Sequence, residues 1–229
     1  MSHIYTTAIL LAAGSGTRMH APVAKQELCL LGESLLRHAA RALASSPLID
    51  AIVTVVREDE VAFAQSELSD IAKNVGVVTG GEDRRASAAR GFAAVPKMTR
   101  LVAIHDAARP LITRRDIDAV VRRASVTGAA IAVAPIYDTV KEVGEDGGIC
   151  ATHDRSRLFL AATPQVFFAD WYADAMALDV GGVTDDAMLL EAAGHRVDAV
   201  LLSDENRKVT SPEDLLYAEF IMKRRGETV

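Results

Sequence analysis

The sequence predicts an α/β fold, a mostly parallel sheet flanked by helices, with a β-hairpin arm protruding from it. Three observations carry that expectation. Short apolar runs recur with amphipathic stretches between them, which is the alternation of βαβ units. Half of the 229 residues are hydrophobic yet only 5% are aromatic, so the interior must be built from Ala, Val, Leu and Ile. Finally, DTVKEVGEDGGICAT, residues 138–152, sets two partly alternating runs around Glu-Asp-Gly-Gly, a strong turn signal.

Taken in order, residues 8–12, 52–56, 75–78, 101–105 and 129–134 read as strands buried on both faces, because they are apolar without alternation. The segments between them read as helices. Ser34 is placed to cap one whose Leu35, Leu36, Ala39, Ala40 and Leu43 share a face, and residues 59–72, 84–95 and 113–125 behave similarly. In such a sheet ligands bind beyond the carboxyl ends of the strands. The arm, at about 137–157, follows the fifth strand. A two-stranded hairpin is marginal alone, so it should pack on the body or on a second subunit; exchange between two protomers is the expectation. Beyond it, residues 170–178 and a segment from Thr184 read as helices, and 197–202 as a strand. Ser211 as N-cap, Pro212 at N1, and Glu213 and Asp214 beside the helix dipole open the last helix. One domain over residues 1–229 suits the length, and no repeats or low-complexity linkers interrupt it.

Composition narrows the function class. A net charge of −6 argues against a broad basic surface for nucleic acid, so an anionic ligand must meet a local cluster of cations. Cys29 and Cys150 lack C-x-x-C spacing and read as reduced, buried small residues rather than a disulfide framework or a zinc site. The apolar run near the N-terminus is too short for a membrane span and has no basic flank of a signal peptide, so a cytoplasmic protein without a membrane partner is expected.

Charged and glycine-rich motifs collect at strand ends. AILLAAGSGTRMHAPVAKQ, residues 8–26, places Gly14 and Gly16 after a strand, then Arg18 and Lys25, a pairing able to grip a polyphosphate from two sides. It matches neither G-x-G-x-x-G nor the Walker pattern, and an ordinary strand-to-helix turn is the other reading. GGEDRRAS from Gly80 repeats the strand, glycine turn and helix start, with Ser87 near the first turn and Arg84 either a phosphate ligand or solvated. In HDAARP, Asp106 either orders a ribose, a hydroxyl or the hydration shell of Mg²⁺, or pairs with Arg109 in a turn; His105 reads as packing. Arg155 lies just beyond the arm, ahead of ATPQ, and Lys208 precedes the last helix. Thr184 reads as a helix cap, with Asp185 and Asp186 in the first turn. No nucleophile elbow or catalytic-cysteine setting is present.

The ordered set LAAGSGTRM, KQ, GGEDRRAS, HDAARP, DTVK, ATPQ, TDDA and NRKVTSPEDL, spanning residues 8 to 216, resembles the 2-C-methyl-D-erythritol 4-phosphate cytidylyltransferases of the non-mevalonate isoprenoid pathway. The resemblance implies a Rossmann-like fold and transfer of CMP from CTP to methylerythritol phosphate, with release of pyrophosphate. It implies that Ala12, Ala13, Gly14 and Ser15 line the nucleotide and that Gly81, Glu82 and Ser87 face cytosine and ribose. Arg18, Lys25 and Lys208 would surround the triphosphate as the catalytic cations. The acceptor would be held by Asp106, Arg109, Thr163 and Thr184, with Arg155 reaching in from the arm of a partner in a homodimer. Mg²⁺ would bridge triphosphate oxygens, with Asp106 as its one candidate contact, direct or indirect. The chain departs from the family's usual pattern at Ala24 (commonly Pro), Glu82 (often Asp) and Asp186 (commonly Glu). A cytidylyltransferase for ribitol 5-phosphate or another polyol phosphate is the alternative, and a regulatory nucleotide binder is a different class of reading.

Overall fold

The computed structural model describes residues 3–14 and 28–227. In chain order its strands are β1 (Thr6–Leu11), β2 (Cys29–Leu30), β3 (Glu33–Ser34), β4 (Ala51–Val56), β5 (Asn74–Thr79), β6 (Leu101–Asp106), β7 (Ala129–Pro135), β8 (Lys141–Val143), β9 (Ile149–Thr152), β10 (Phe159–Phe168) and β11 (Asp198–Leu201). The helices are α1 (Leu35–Ser45), α2 (Val61–Glu67), α3 (Arg84–Ala93), α4 (Arg114–Thr127), α5 (Ala169–Met176), α6 (Ala187–Ala192) and α7 (Pro212–Arg224).

Seven strands make one sheet in the order β11-β7-β10-β6-β1-β4-β5, parallel throughout except for β10, which runs antiparallel to both neighbours. Chain order runs outward from β1 to β4 and β5, then returns to β6 on the other side of β1. The switch point therefore lies between β1 and β6, where Leu11 pairs with Asp106, and ligands of such sheets bind beyond these carboxyl ends.

Burial explains the strands. Every residue of β1, β4 and β6 is buried, because successive side chains enter two different cores. Ala8, Leu10 and Ala12 pack with α1, α2 and α4 residues on one face, while Ile9 and Leu11 pack with α3, α5 and α6 residues on the other. α3 approaches the sheet closely at Gly91, where a Cβ would stand 2.5 Å from Ile9 and 2.7 Å from Val55. The predicted cap of α1 is present: Ser34 accepts from the Arg37 N–H at 3.1 Å, and the five predicted apolar residues are buried. Ser211 likewise caps α7, with Pro212 in the first turn and Asp214 closing the capping box.

Several expectations are corrected. β5 is the sheet edge and only partly covered, with Val75 54% exposed, so it is not buried on both faces. The helix read over 59–72 becomes a short 3-10 turn, α2 and further turns; Leu68 and Ile71 stay buried at helix-like spacing although regular α-helix ends at Glu67. α6 begins at Ala187 with Asp186 at its N-cap, so Thr184 does not cap it and donates instead to the Met188 sulfur. Both cysteines are exposed: Cys29 lies on the small β2–β3 ribbon and Cys150 on the arm, neither of which is sandwiched between layers.

The arm is an antiparallel pair, β8 against β9, closed by Gly144 N–H to the Gly148 carbonyl at 2.9 Å with Gly147 at φ 80°. Its strands are almost wholly exposed. Tyr137, Val143, Ile149, Phe159 and Leu160 form exposed apolar surface on the arm and at its root.

Candidate active site

The carboxyl ends of β1, β5 and β6 bring three loops together. Ala12 still belongs to the sheet, donating to the Val55 carbonyl at 2.7 Å, and Ala13 lies against Gly80, where a Cβ would come within 2.5 Å of its own. Gly81 is equally constrained, since a Cβ there would meet the Ala86 Cβ at 2.3 Å and its backbone carbon at 2.9 Å. Ser87 is buried and its hydroxyl accepts from the Gly81 N–H at 3.1 Å, so this side chain shapes the loop. Asp83 caps α3 through the Ala86 N–H at 2.7 Å, leaving Glu82 exposed at the loop tip. Gly14 ends the described part of the first loop; Ser15, Arg18, Ala24 and Lys25 lie outside the described residues.

Asp106, at the end of β6, is the centre of the charges that the fold assembles. Lys208 Nζ donates to its Oδ2 at 2.7 Å, Arg109 Nε stands 3.9 Å from the same oxygen, and Arg84 Nε is 3.8 Å from Oδ1. Burial alone would raise the Asp106 pKa, but Lys208, then Arg84 and Arg109, outweigh it and hold the carboxyl at about 2. Arg109 is held down by burial against the attraction of Asp106, and its Nη1 donates to the Asn206 carbonyl at 2.9 Å. Arg84 is also buried at some cost, yet Asp186 and then Asp106 raise its pKa above the ordinary value. Arg84 is thus a site residue in an ion pair, Nη1 to Asp186 Oδ2 at 2.6 Å, rather than a solvated charge.

Thr163 enters through a break in β10. The register shifts between Ala161 and Gln165, so Pro164, which has no N–H to give, sits where ladder pairing is interrupted. The freed Thr163 serves three neighbours. Its Oγ1 accepts from the Asp106 N–H at 3.1 Å and lies 3.0 Å from His105 Nδ1, and its carbonyl accepts from Asn206 Nδ2 at 2.9 Å. Because the Arg109 carbonyl, 3.2 Å from His105 Nε2, can only accept, the neutral imidazole carries its proton on Nε2, and its bare Nδ1 accepts from the Thr163 hydroxyl. This neutral, fully buried imidazole has its pKa lowered to about 4, chiefly by burial. With both nitrogens engaged, His105 is a structural element of the site, as read from sequence.

Gln165 is the residue the sequence reading passed over. Buried at 1% exposure, it accepts from the Asp186 and Ala187 N–H groups at 3.0 and 3.1 Å and donates to Asp185 Oδ2 at 2.9 Å, fixing the start of α6 against β10. Its signal was a glutamine inside the apolar run FLAATPQVFF, since a polar side chain there needs a buried partner. Asp186 was likewise assigned no more than capping, yet it also accepts from the Tyr172 hydroxyl at 2.7 Å, and burial with this carboxylate raises the phenol's pKa well above normal. Tyr172→Phe strands one oxygen of a buried carboxylate and is expected to cost about 2 kcal/mol, read as a lower urea midpoint. An unchanged midpoint would show that Asp186 does not depend on this bond.

Two predicted residues stand apart. Thr184 is exposed on the segment before α6, and Arg155 lies in a 3-10 turn where its guanidinium donates to the Tyr137 carbonyl at the arm's root. For a divalent cation, Asp106 has Oδ2 taken by Lys208, and the described residues contain no group of three or more metal-ligating side chains. The donor set therefore fits a cation carried mainly by phosphate oxygens, with Asp106 as one contact at most, rather than a protein cage.

Glycine loops beside cations gathered on a carboxylate at a switch point suit a phosphorylated substrate pair. The family model for 2-C-methyl-D-erythritol 4-phosphate cytidylyltransferase matches residues 6–224. The chain belongs to this family. Among its curated relatives, a 2-C-methyl-D-erythritol 4-phosphate cytidylyltransferase of Desulforamulus reducens is 40% identical over 226 residues, 96% of both chains. One of the same name from Syntrophus aciditrophicus is 39% identical over 95% of each. A crystal structure of 4-diphosphocytidyl-2C-methyl-D-erythritol synthase from Anaerococcus prevotii superposes with a TM-score of 0.85 at 26% identity, covering 97% of this chain and 100% of that one. Membership of the cytidylyltransferase family accounts for the Rossmann-like, mostly parallel sheet and for the loops at its carboxyl ends.

Proposed function

We propose that the protein transfers CMP from CTP to 2-C-methyl-D-erythritol 4-phosphate, forming 4-diphosphocytidyl-2-C-methyl-D-erythritol and pyrophosphate. A phosphate oxygen of the acceptor attacks the α-phosphorus; one P–O bond forms as the bond to the departing β-phosphate breaks. The observation that carries this reading is the cluster of Lys208, Arg84 and Arg109 around Asp106, on the same side of the sheet as the Gly80–Gly81 turn, whose glycines let it pack tightly against Ala13 and the start of α3. An ionised phosphate needs no base, which agrees with His105 being buried, neutral and fully hydrogen-bonded.

In this reading Lys208, with Arg18 and Lys25 from the first loop, neutralises charge on the triphosphate as the transition state forms. Ala12, Ala13, Gly14, Ser15, Gly81, Glu82 and Ser87 border the nucleotide, with Ser87 acting by holding Gly81. Asp106, Arg109, Thr163 and Thr184 border the acceptor. Mg²⁺, bound to the phosphates and touching protein at Asp106 at most, would supply further neutralisation. The chain acts as one nucleotidyltransferase domain with its arm, in the cytoplasm, without a nucleic-acid or membrane partner. Among the described residues no helix is long and apolar enough to cross a membrane.

Homodimerisation through the arm completes the reading. Exposed Tyr137, Val143 and Ile149 supply apolar surface for a partner to cover, and Arg155 at the arm's root would then meet the partner's acceptor phosphate. A dimeric mass at micromolar concentration is the expected result; a monomer would remove this part of the proposal.

Pyrophosphate release with CTP and Mg²⁺ should occur with methylerythritol phosphate and not with ribitol 5-phosphate or without acceptor. Release with ribitol phosphate alone would keep the chemistry and overturn the acceptor. Family membership favours the first outcome.

A further inference from the structure

Two consecutive arginines open α3, and both reach across to the segment that joins α5 to α6. The Arg85 guanidinium donates to the Met176 and Val180 carbonyls, each at 3.1 Å, and also to that of Leu178. The Met176 carbonyl is an acceptor that the end of α5 leaves without a helical partner, while those of Leu178 and Val180 belong to the irregular segment beyond it. Arg84 takes the other end of the segment through Asp186, which Tyr172 and the Gln165 amide hold from below. Residues 177–186, which contain Gly181, Gly182 at φ 67° and no regular helix or strand, are thereby pinned at both ends from a single turn.

That same helix start fixes the nucleotide-side loop. Asp83 caps it, Ser87 accepts from Gly81, and Arg90 Nη1 donates to the Gly80 carbonyl at 2.6 Å. The first turns of α3 thus grip the loop after β5 with one set of groups and the segment before α6 with another. Arg85 contributes to this although it makes none of the contacts that surround Asp106.

We propose that Arg85 is a positioning residue: with the Arg84–Asp186 pair it clamps residues 177–186 against α3, holding Thr184 at a fixed place relative to the nucleotide loop and so setting affinity for the phosphorylated acceptor. The effect on acceptor affinity rests on the reading that the Thr184 segment borders that substrate; the clamp itself does not.

The test compares wild type with Arg85→Ala and Arg85→Gln, the latter keeping one amide donor for a carbonyl should the alanine variant fold poorly. Hydrogen exchange of the 177–186 amides is measured on the protein alone, and KM for each substrate by pyrophosphate release. Loss of the clamp should speed exchange in 177–186 selectively and raise KM for methylerythritol phosphate at least fivefold, with KM for CTP within twofold and kcat little changed. Guanidinium ion should restore part of the acceptor KM in Arg85→Ala. Unchanged exchange in that segment, or faster exchange with the acceptor KM unmoved, would overturn the proposal. Equal rises in both KM values would also overturn it, because a general loss of structure predicts that. If wild type transferred no CMP to methylerythritol phosphate, the assigned activity would fail by itself, while selective exchange would still decide the clamp.

Discussion

Replacing Lys208 with alanine is expected to lower kcat for cytidylyl transfer at least tenfold, about 1.4 kcal/mol of transition-state stabilisation. Two effects act together. The variant removes a cation from a site where negative charge redistributes over the reacting phosphates, and it removes the closest partner of Asp106, 2.7 Å away. Asp106 is buried, so its ionised form depends on compensating charge; Arg84 and Arg109, at 3.8 and 3.9 Å, remain as nearby charges but do not hydrogen-bond to it. Its carboxyl should therefore titrate well above its present value of about 2. A pH–rate profile separates the two effects: loss of the cation lowers the plateau, whereas the shifted carboxyl moves the acid limb upward. A folded Lys208→Ala enzyme with unchanged kcat would remove this lysine from the chemistry.

Why Lys208 and Asp106 each stood out in the sequence, and their pairing did not, follows from the kind of information a chain carries locally. A charged residue at the end of an apolar strand or just before a capped helix stands out by position, and Asp106, Arg109 and Lys208 were all visible that way. Pairing is not local: Lys208 and Asp106 are 102 positions apart, and nothing in either neighbourhood specifies the other. The same limit hid Asp186, whose place before α6 resembles a helix-opening acid while its side chain reaches Arg84 and Tyr172.

The fold shows a similar division. β1, β4 and β6 could be read because burial on both faces leaves an unbroken apolar run. β10 could not, since Pro164 within FLAATPQVFF argues against a central strand, and the structure accepts it by interrupting the ladder there. That interruption is what releases Thr163 into the site, so the feature that obscured the strand is the one that gives it a role. Leu68 and Ile71 misled in the opposite sense, because the hydrogen-bonded turns after α2 keep them three residues apart and buried although the helix has already ended.

Acidification from pH 7 to pH 5 is expected to cost the folded state about 2 kcal/mol through His105. In the native protein burial lowers this imidazole to about 4, whereas in the unfolded chain it titrates near 6.5. Between those values the unfolded chain binds a proton that the native state refuses. Stability from this group is thus fully present above pH 6.5 and is lost as pH falls toward 4. Protonation of Nδ1 would also turn an acceptor for the Thr163 hydroxyl into a donor, in a pair closed at 3.0 Å within the folded core. His105 is the one buried histidine among the described residues, and the carboxylates held low by ion pairs lose their charge only below pH 5, so the window from 6.5 to 5 isolates it. Urea denaturation at pH 7, 6 and 5 measures the loss. His105→Gln, which can accept from Thr163 and donate to the Arg109 carbonyl without titrating, should be less stable at pH 7 but show little further loss by pH 5. If wild type and variant weakened in parallel over that interval, a different group would be responsible for the slope.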